Sequence, residues 1–190
     1  GNISWTLAGR IPARSGNFDP QLPADWTPPN TGWNGWLNPE QYPLITNPAS
    51  HRLWSANSRT VSGNKLELLG NGGYDLGARA SQIRDSLCAR EQFSVEDLLA
   101  IQLDHRALLL SKWYQLLTAT LDSADNALPW VSAMKKALND WDGHASSNSI
   151  AYRAVRTYRY EVMKTILGGI AAQVRLHDAA FKLPRLSQAE

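Results

Sequence analysis

Cysteine is almost missing from this chain. Cys88 is the only one in 190 residues, which excludes an internal disulfide and says little about compartment. Neither sign of charge dominates: 19 basic residues face 17 acidic ones for a net +2, with no block of Lys or Arg. Nothing in the charge pattern therefore points to a nucleic-acid or anionic-membrane surface of the usual basic kind. No apolar run approaches the ~18 residues of a membrane span, and no basic-plus-apolar leader opens the chain. Histidine is scarce too. His51, His105, His144 and His177 form no HxxxH or HxxEH pair, so zinc chemistry has no ligand pattern. GxSxG and GxxxxGK[ST] are absent, and the glycines at 70–73 lead into no strand-to-helix phosphate loop. Asp104 and His105 are adjacent on a predicted helix and point in different directions, so they do not form a dyad, and His105 reads as structural.

What the chain has is an apolar fraction of 43%, enough for a globular core and too much for disorder. Composition shifts partway along. Eight of the ten prolines and five of the eight tryptophans precede residue 55, and the rest is rich in Leu, Ala, Arg and Gln. Residues 1–9 alternate apolar and polar (Ile3, Trp5, Leu7) and read as a strand; a chain opening inside a strand pattern reads as a piece of something larger. From Ile11 to Pro48 the prolines forbid long helices and central strands. Trp26, Trp33, Trp36, Phe18 and Tyr42 are expected to pin that segment to a surface as buried rings. Residues 51–62 read as a strand, Gly63-Asn64 as a turn, and Leu66 and Leu68 as a return strand.

Helices follow. Leu76, Ala80, Ile83 and Leu87 set a helix over 76–89 by their spacing. Ser94 caps the next, with Glu96 and Asp97 at its positive end. That helix is expected to run unbroken to about Leu121 and, being apolar nearly all round, to be covered on several sides. A third starts at Pro129, buries Trp130, Met134, Leu138 and Trp141, and stops at Gly143. A fourth runs from about Ser149 to Arg175 with a weak point at Gly168-Gly169. The fold class expected is α+β, predominantly helical after residue 75. Residues 1–75 form a strand and Pro/Trp-rich part, and 76–190 a helical part.

An ordered set of short blocks carries a family resemblance. They are Gly1-Asn2-Ile3 with Ala8-Gly9-Arg10-Ile11-Pro12, Asp19-Pro20-Gln21-Leu22-Pro23, and Trp33-Asn34-Gly35-Trp36-Leu37. Asn47-Pro48 then leads to Trp54-Ser55-Ala56-Asn57-Ser58-Arg59. Last come Gly72-Gly73-Tyr74-Asp75-Leu76-Gly77-Ala78-Arg79-Ala80 and Gln82-Ile83-Arg84-Asp85. In this order they resemble an internal stretch of the β-subunit of the penicillin acylase family, closest in texture to its acyl-homoserine-lactone and aculeacin acylase branch. The resemblance is good over about residues 1–145 and rests on helical texture beyond.

That resemblance implies an αββα N-terminal-nucleophile hydrolase, with residues 1–75 belonging to its catalytic sheet. Such an enzyme cleaves acyl amides through an acyl-Ser intermediate, its own α-amine serving as base. Gly1 has no side chain to attack anything, so these residues supply no nucleophile and are expected to be inactive alone. Asn57 matches the family's side-chain oxyanion donor. Arg79, 22 positions later, matches its arginine near the site. The partners implied are the remainder of the same precursor, namely the α-subunit and the rest of the β-subunit, and a small acyl amide; the location implied is periplasmic or secreted. The chemistry needs no cofactor, but many relatives hold a structural calcium. Pro20 matches a carbonyl ligand, whereas an ungapped count puts Leu68, with Glu67 beside it, at the carboxylate position. Trp33 and Trp54, with Trp36, read either as an acyl pocket or as core rings. Arg59 reads either as a contact for a carboxylate-bearing leaving group or as an exposed strand residue. Two rival readings remain: a Trp-rich binding module, and a pseudo-enzyme that keeps the fold without the nucleophile.

Overall fold

Proline keeps the strands short among the described residues before 50: β1 (Ser4–Trp5), β2 (Pro12–Ser15), β3 (Gly32–Trp36) and β4 (Ile45–Thr46). The structure is a computed structural model and describes residues 1–18, 23–70 and 73–182. By contact the described residues form two units, one over Gly1–Phe93 and one starting at Ser94.

In the first unit, β1 and β4 pair antiparallel with Ser4 opposite Thr46 and Trp5 opposite Ile45. Asn47 ends β4 at φ 44°. Its side-chain oxygen accepts the Ile3 N–H at 3.0 Å, and its own N–H donates to the Ile3 carbonyl at 2.9 Å. β2 and β3 pair antiparallel with a bulge between Pro12 and Arg14, where proline offers no N–H to a regular ladder. The expected strand over residues 1–9 thus shrinks to two residues. The rings also behave differently from expectation. Trp26, Trp33 and Trp36 are all more than half exposed, while Phe18 packs on Trp26 with ring centroids 5.0 Å apart.

No strand forms over 51–62. Ala56 and Asn57 both have positive φ, 54° and 61°, and two consecutive left-handed residues turn the chain out of any ladder. The expected return strand is a helix, α1 (Asn64–Leu69), entered through Gly63 at φ 56°. Leu, Lys and Glu are strong helix formers, and over six residues they outweigh the alternation of Leu66 and Leu68. α2 (Ala78–Cys88) lies where the apolar spacing places it. Arg52 holds its C-terminal end: the guanidinium donates to the Leu87 carbonyl of the last turn at 3.2 Å and to the carbonyls of Arg90 at 3.1 Å and Glu91 at 2.6 Å just past it. The Leu87 carbonyl is one of the orphan acceptors that a helix end leaves.

The second unit is helical: α3 (Val95–Gln102), α4 (Leu108–Asp122), α5 (Pro129–Leu138) and α6 (Ile150–Arg175). The expected continuous helix from Ser94 to Leu121 is broken over 103–107. There Asp104 accepts the Arg106 backbone N–H at 3.1 Å, and its two carboxylate oxygens accept from Nε and Nη2 of the same guanidinium. Ala107 N–H donates to the Gly143 carbonyl at 2.7 Å, and Ala145 N–H to the His105 carbonyl at 2.8 Å. These backbone groups are satisfied across to 143–145, not along a helix. His105 lies against His144, ring centroids 4.8 Å apart, and Asp104 is engaged with Arg106.

Leu110, Leu117 and Leu121 of α4 pack on Val131 and Leu138 of α5 and Ala151 and Val155 of α6. Tyr114 stacks on Trp141 at 5.1 Å and 9°. The buried stripe is narrower than the composition suggests: Leu98, Leu99, Leu108, Leu109 and Leu116 are exposed, and Trp130 points outward while its neighbour Val131 is fully buried. α6 starts at its Ser149 cap and passes through Gly168-Gly169 unbroken. No helix among the described residues is long and apolar enough to cross a membrane.

Ser94 and Asp97 form a capping box at α3: Ser94 Oγ accepts the Asp97 N–H at 3.2 Å, and Asp97 Oδ2 accepts the Ser94 N–H at 3.0 Å. Ser94→Ala is expected to cost ~0.5–2 kcal/mol of stability, read by denaturant unfolding of the 190-residue chain. An unchanged midpoint would show that α3 does not unfold with the rest.

Candidate active site

The turn that ends the extended run after Trp54 is held from three directions. Ser58 N–H donates to the Ser55 carbonyl at 3.3 Å, closing a four-residue turn around Ala56 and Asn57, and Ser58 Oγ reinforces it at 2.6 Å. Asparagine tolerates left-handed φ; alanine at φ 54° does not come free. The Asp75 N–H then donates to the Asn57 carbonyl at 2.8 Å, tying the turn to the segment that leads into α2.

Arg79, in the first turn of α2, supplies the third hold. Its Nη2 donates to Asn57 Oδ1 at 3.0 Å, to the Ala56 carbonyl at 3.3 Å and to Asp75 Oδ2 at 2.9 Å. Two hydrogens serve three acceptors, so one is shared. The structure thus brings together the two residues singled out from the sequence at a spacing of 22.

This contact fixes the Asn57 amide. A guanidinium only donates, so the group facing it must be the oxygen. Nδ2 is thereby turned away from Arg79, and no acceptor among the described residues takes its N–H groups. The result is a neutral donor at the surface of the unit, oriented by its own acceptor contact. Chemically, such a donor suits an oxygen that gains negative charge.

The sequence reading assigned no role to Asp75. Its signal was its position four residues before Arg79, one turn away on a helical register. The ion pair is partly exposed, with side-chain exposures of 32% for Asp75 and 59% for Arg79. It is therefore worth little as stability.

None of the other singled-out residues in the described part hydrogen-bonds to this cluster. Trp54 is half-buried three residues before Asn57, and Trp33 stands 67% exposed on β3. Arg59 is exposed and follows the turn outside any strand. Pro20 lies outside the described residues. Glu67 is exposed in the first turn of α1, and the Arg14 guanidinium donates to the carbonyl of Leu68 beside it at 2.9 Å. No group of three or more His, Cys, Asp or Glu among the described residues could hold a metal.

A family model described as penicillin amidase matches residues 1–188. The chain is 27% identical over 168 residues to penicillin acylase 2 proenzyme of Pseudomonas sp. strain SE83, a match that takes in 87% of this chain and 21% of that protein. It is 28% identical over 128 residues to acyl-homoserine lactone acylase QuiP of Pseudomonas aeruginosa, covering 67% of this chain and 14% of that protein. The chain therefore spans about a fifth or less of the length of these curated relatives. With the ordered blocks of sequence and a match over nearly its whole length, the chain belongs to the penicillin amidase family.

Proposed function

We propose that the protein these residues belong to is an amidohydrolase that cleaves an acyl amide through an acyl-Ser intermediate, with Asn57 donating to the oxyanion. The observation that carries this reading is the 3.0 Å bond from Arg79 to Asn57 Oδ1, which orients the free Nδ2 donor. The nucleophile and its α-amine come from the same precursor but not from these 190 residues. In this reading the α-amine takes the hydroxyl proton as the Ser oxygen attacks the amide carbon. Charge on the former carbonyl oxygen is met by Asn57 Nδ2, and collapse expels the amine with that proton. Water then hydrolyses the ester through a second oxyanion at the same place.

The remaining parts of the proposal follow from family membership. The strands of residues 1–75 join the catalytic sheet of an αββα layered fold, and 76–190 form a helical part. The protein works in the periplasm or outside the cell. Trp33 and Trp54 offer apolar walls to the acyl group. Both named relatives are acylases, which supports an acyl amide as the substrate class.

The test is a chromogenic assay with phenylacetyl and fatty-acyl anilides. The full-length enzyme is expected to release acid and aniline in equal amounts, with a burst of aniline marking the acyl-enzyme. The 190-residue chain alone is expected to give no turnover above the buffer blank. Full-length protein with no activity on any acyl amide of the panel would overturn the function. Turnover by the short chain that survives repurification would overturn the assignment of the nucleophile elsewhere.

A further inference from the structure

We propose that Asp75 is a positioning residue for the reaction, holding Arg79 and the Asn57 turn in a single clamp; this rests on the reading of Asn57 as oxyanion donor. Asp75 grips both halves. Its backbone N–H donates to the Asn57 carbonyl at 2.8 Å, and its Oδ2 accepts from Arg79 Nη2 at 2.9 Å. The same Nη2 reaches the Asn57 amide oxygen at 3.0 Å. Asp75, Arg79 and Asn57 thus close a ring of contacts that runs through both backbone and side chains.

Three physical points make the carboxylate matter. Arg79 sits in the first turn of α2, where the partial positive charge of the helix end disfavours a cation. An anion at Asp75 offsets that and gives the guanidinium a reason to stay. Second, Nη2 has only two hydrogens for three acceptors. The charged acceptor forms the strongest bond of the three, so it sets the plane of the fork and leaves a fixed direction toward Asn57. Third, the turn carries two left-handed non-glycine residues and needs holding from outside. The Asp75 N–H anchors its backbone, while Asp75 Oδ2 anchors the arginine that aims its amide.

The carboxylate never touches the substrate in this scheme. It acts through Arg79 on the direction of Asn57 Nδ2, and a donor aimed wrongly by a fraction of an ångström loses its effect in the transition state first. Charge, and not size, is what Asp75 contributes. That separates the proposal from an ordinary i,i+4 surface pair.

The experiment uses the full-length enzyme, with precursor processing checked by gel and thermal melting measured for each variant. Asp75→Asn keeps size and the backbone bond but loses the charge; kcat is expected to fall about 10- to 100-fold with KM little changed. Asp75→Glu keeps the charge on a longer arm and is expected to recover part of that loss. A residue that merely fills space would rank the two the other way, with isosteric Asn the milder change. In an Asn57→Ala background, Asp75→Asn is expected to cost nothing further. Equal loss in both backgrounds, or a kcat within twofold of wild type for Asp75→Asn, overturns the proposal. If the Asp75→Asn precursor does not mature, Asp75→Glu carries the same comparison in the two backgrounds. An Asn57→Ala enzyme with wild-type kcat sinks the oxyanion reading itself. A kcat lost in Asn57→Ala but kept in Asp75→Asn sinks only the role of Asp75.

Discussion

Asn57→Ala in the full-length enzyme is expected to lower kcat by about 10²–10³ while KM changes little. The split follows from where the amide acts. Nδ2 meets a neutral carbonyl in the bound substrate and a nearly full negative charge in the tetrahedral intermediate, so its contribution appears only on the way to the transition state. The substitution has a second consequence, because residue 57 sits at φ 61° and alanine already occupies φ 54° before it. A second alanine there adds left-handed strain of about 1–2 kcal/mol. Asn57→Gly removes that ambiguity, since glycine adopts the turn at no steric cost. If the amide is the cause, the Gly and Ala variants lose the same kcat. If Gly restores turnover, the turn and not the amide was responsible. Processing must be followed on a gel first, because self-cleavage of a precursor passes through a similar intermediate. A processed Asn57→Gly enzyme with near-wild-type kcat would remove the oxyanion hole from this chain.

The helical half of the chain is the legible half. Ser149, Pro129 and the Ser94/Asp97 pair are start signals with local chemistry behind them, and α6, α5 and α3 begin at them. What local signals miss is set by distant partners. The spacing of Leu99, Leu103 and Ala107 carries across residues 103–107, yet the helix breaks there: Asp104 turns the chain onto the Arg106 N–H, and Ala107 and His105 pair with residues 143–145. Likewise nothing in Trp54-Ser55-Ala56-Asn57 announces that an alanine takes positive φ, and without that the stretch reads as a strand. Tryptophan content tells how much ring there is to cover and not what covers it, so Trp33 and Trp36 were expected inside and stand outside.

The candidate site divides in the same way. Asn57 and Arg79 are 22 residues apart, a distance at which no helix or hairpin rule links two side chains. Only the family spacing suggested that they belong together. Asp75 was within reach of a local rule, one helical turn from Arg79, but it lies ahead of the α2 start at Ala78.

Arg79→Lys is expected to cost about 10- to 100-fold in kcat, although the charge is kept. The arginine joins three acceptors through one planar nitrogen: the Ala56 carbonyl, Asn57 Oδ1 and Asp75 Oδ2. A lysine ammonium is a shorter-armed, strongly hydrated point charge without the fork, so it cannot hold all three in the same plane. Arg79→Ala combined with Asn57→Ala then separates two roles. If Arg79 acts by aiming the amide, the double variant should be barely worse than Asn57→Ala, because the group being aimed is already gone. If instead Arg79 acts on the nucleophile's α-amine, losses add and a pH signature accompanies them. A nearby cation disfavours the protonated amine and lowers its pKa, so removing Arg79 raises it. The acidic limb of kcat/KM, which reports loss of the neutral base, would then move to higher pH. A non-additive double variant with an unmoved acidic limb supports the aiming role. Additive losses with a displaced limb assign Arg79 to the amine, and leave the 3.0 Å bond to Asn57 as a contact of the turn alone.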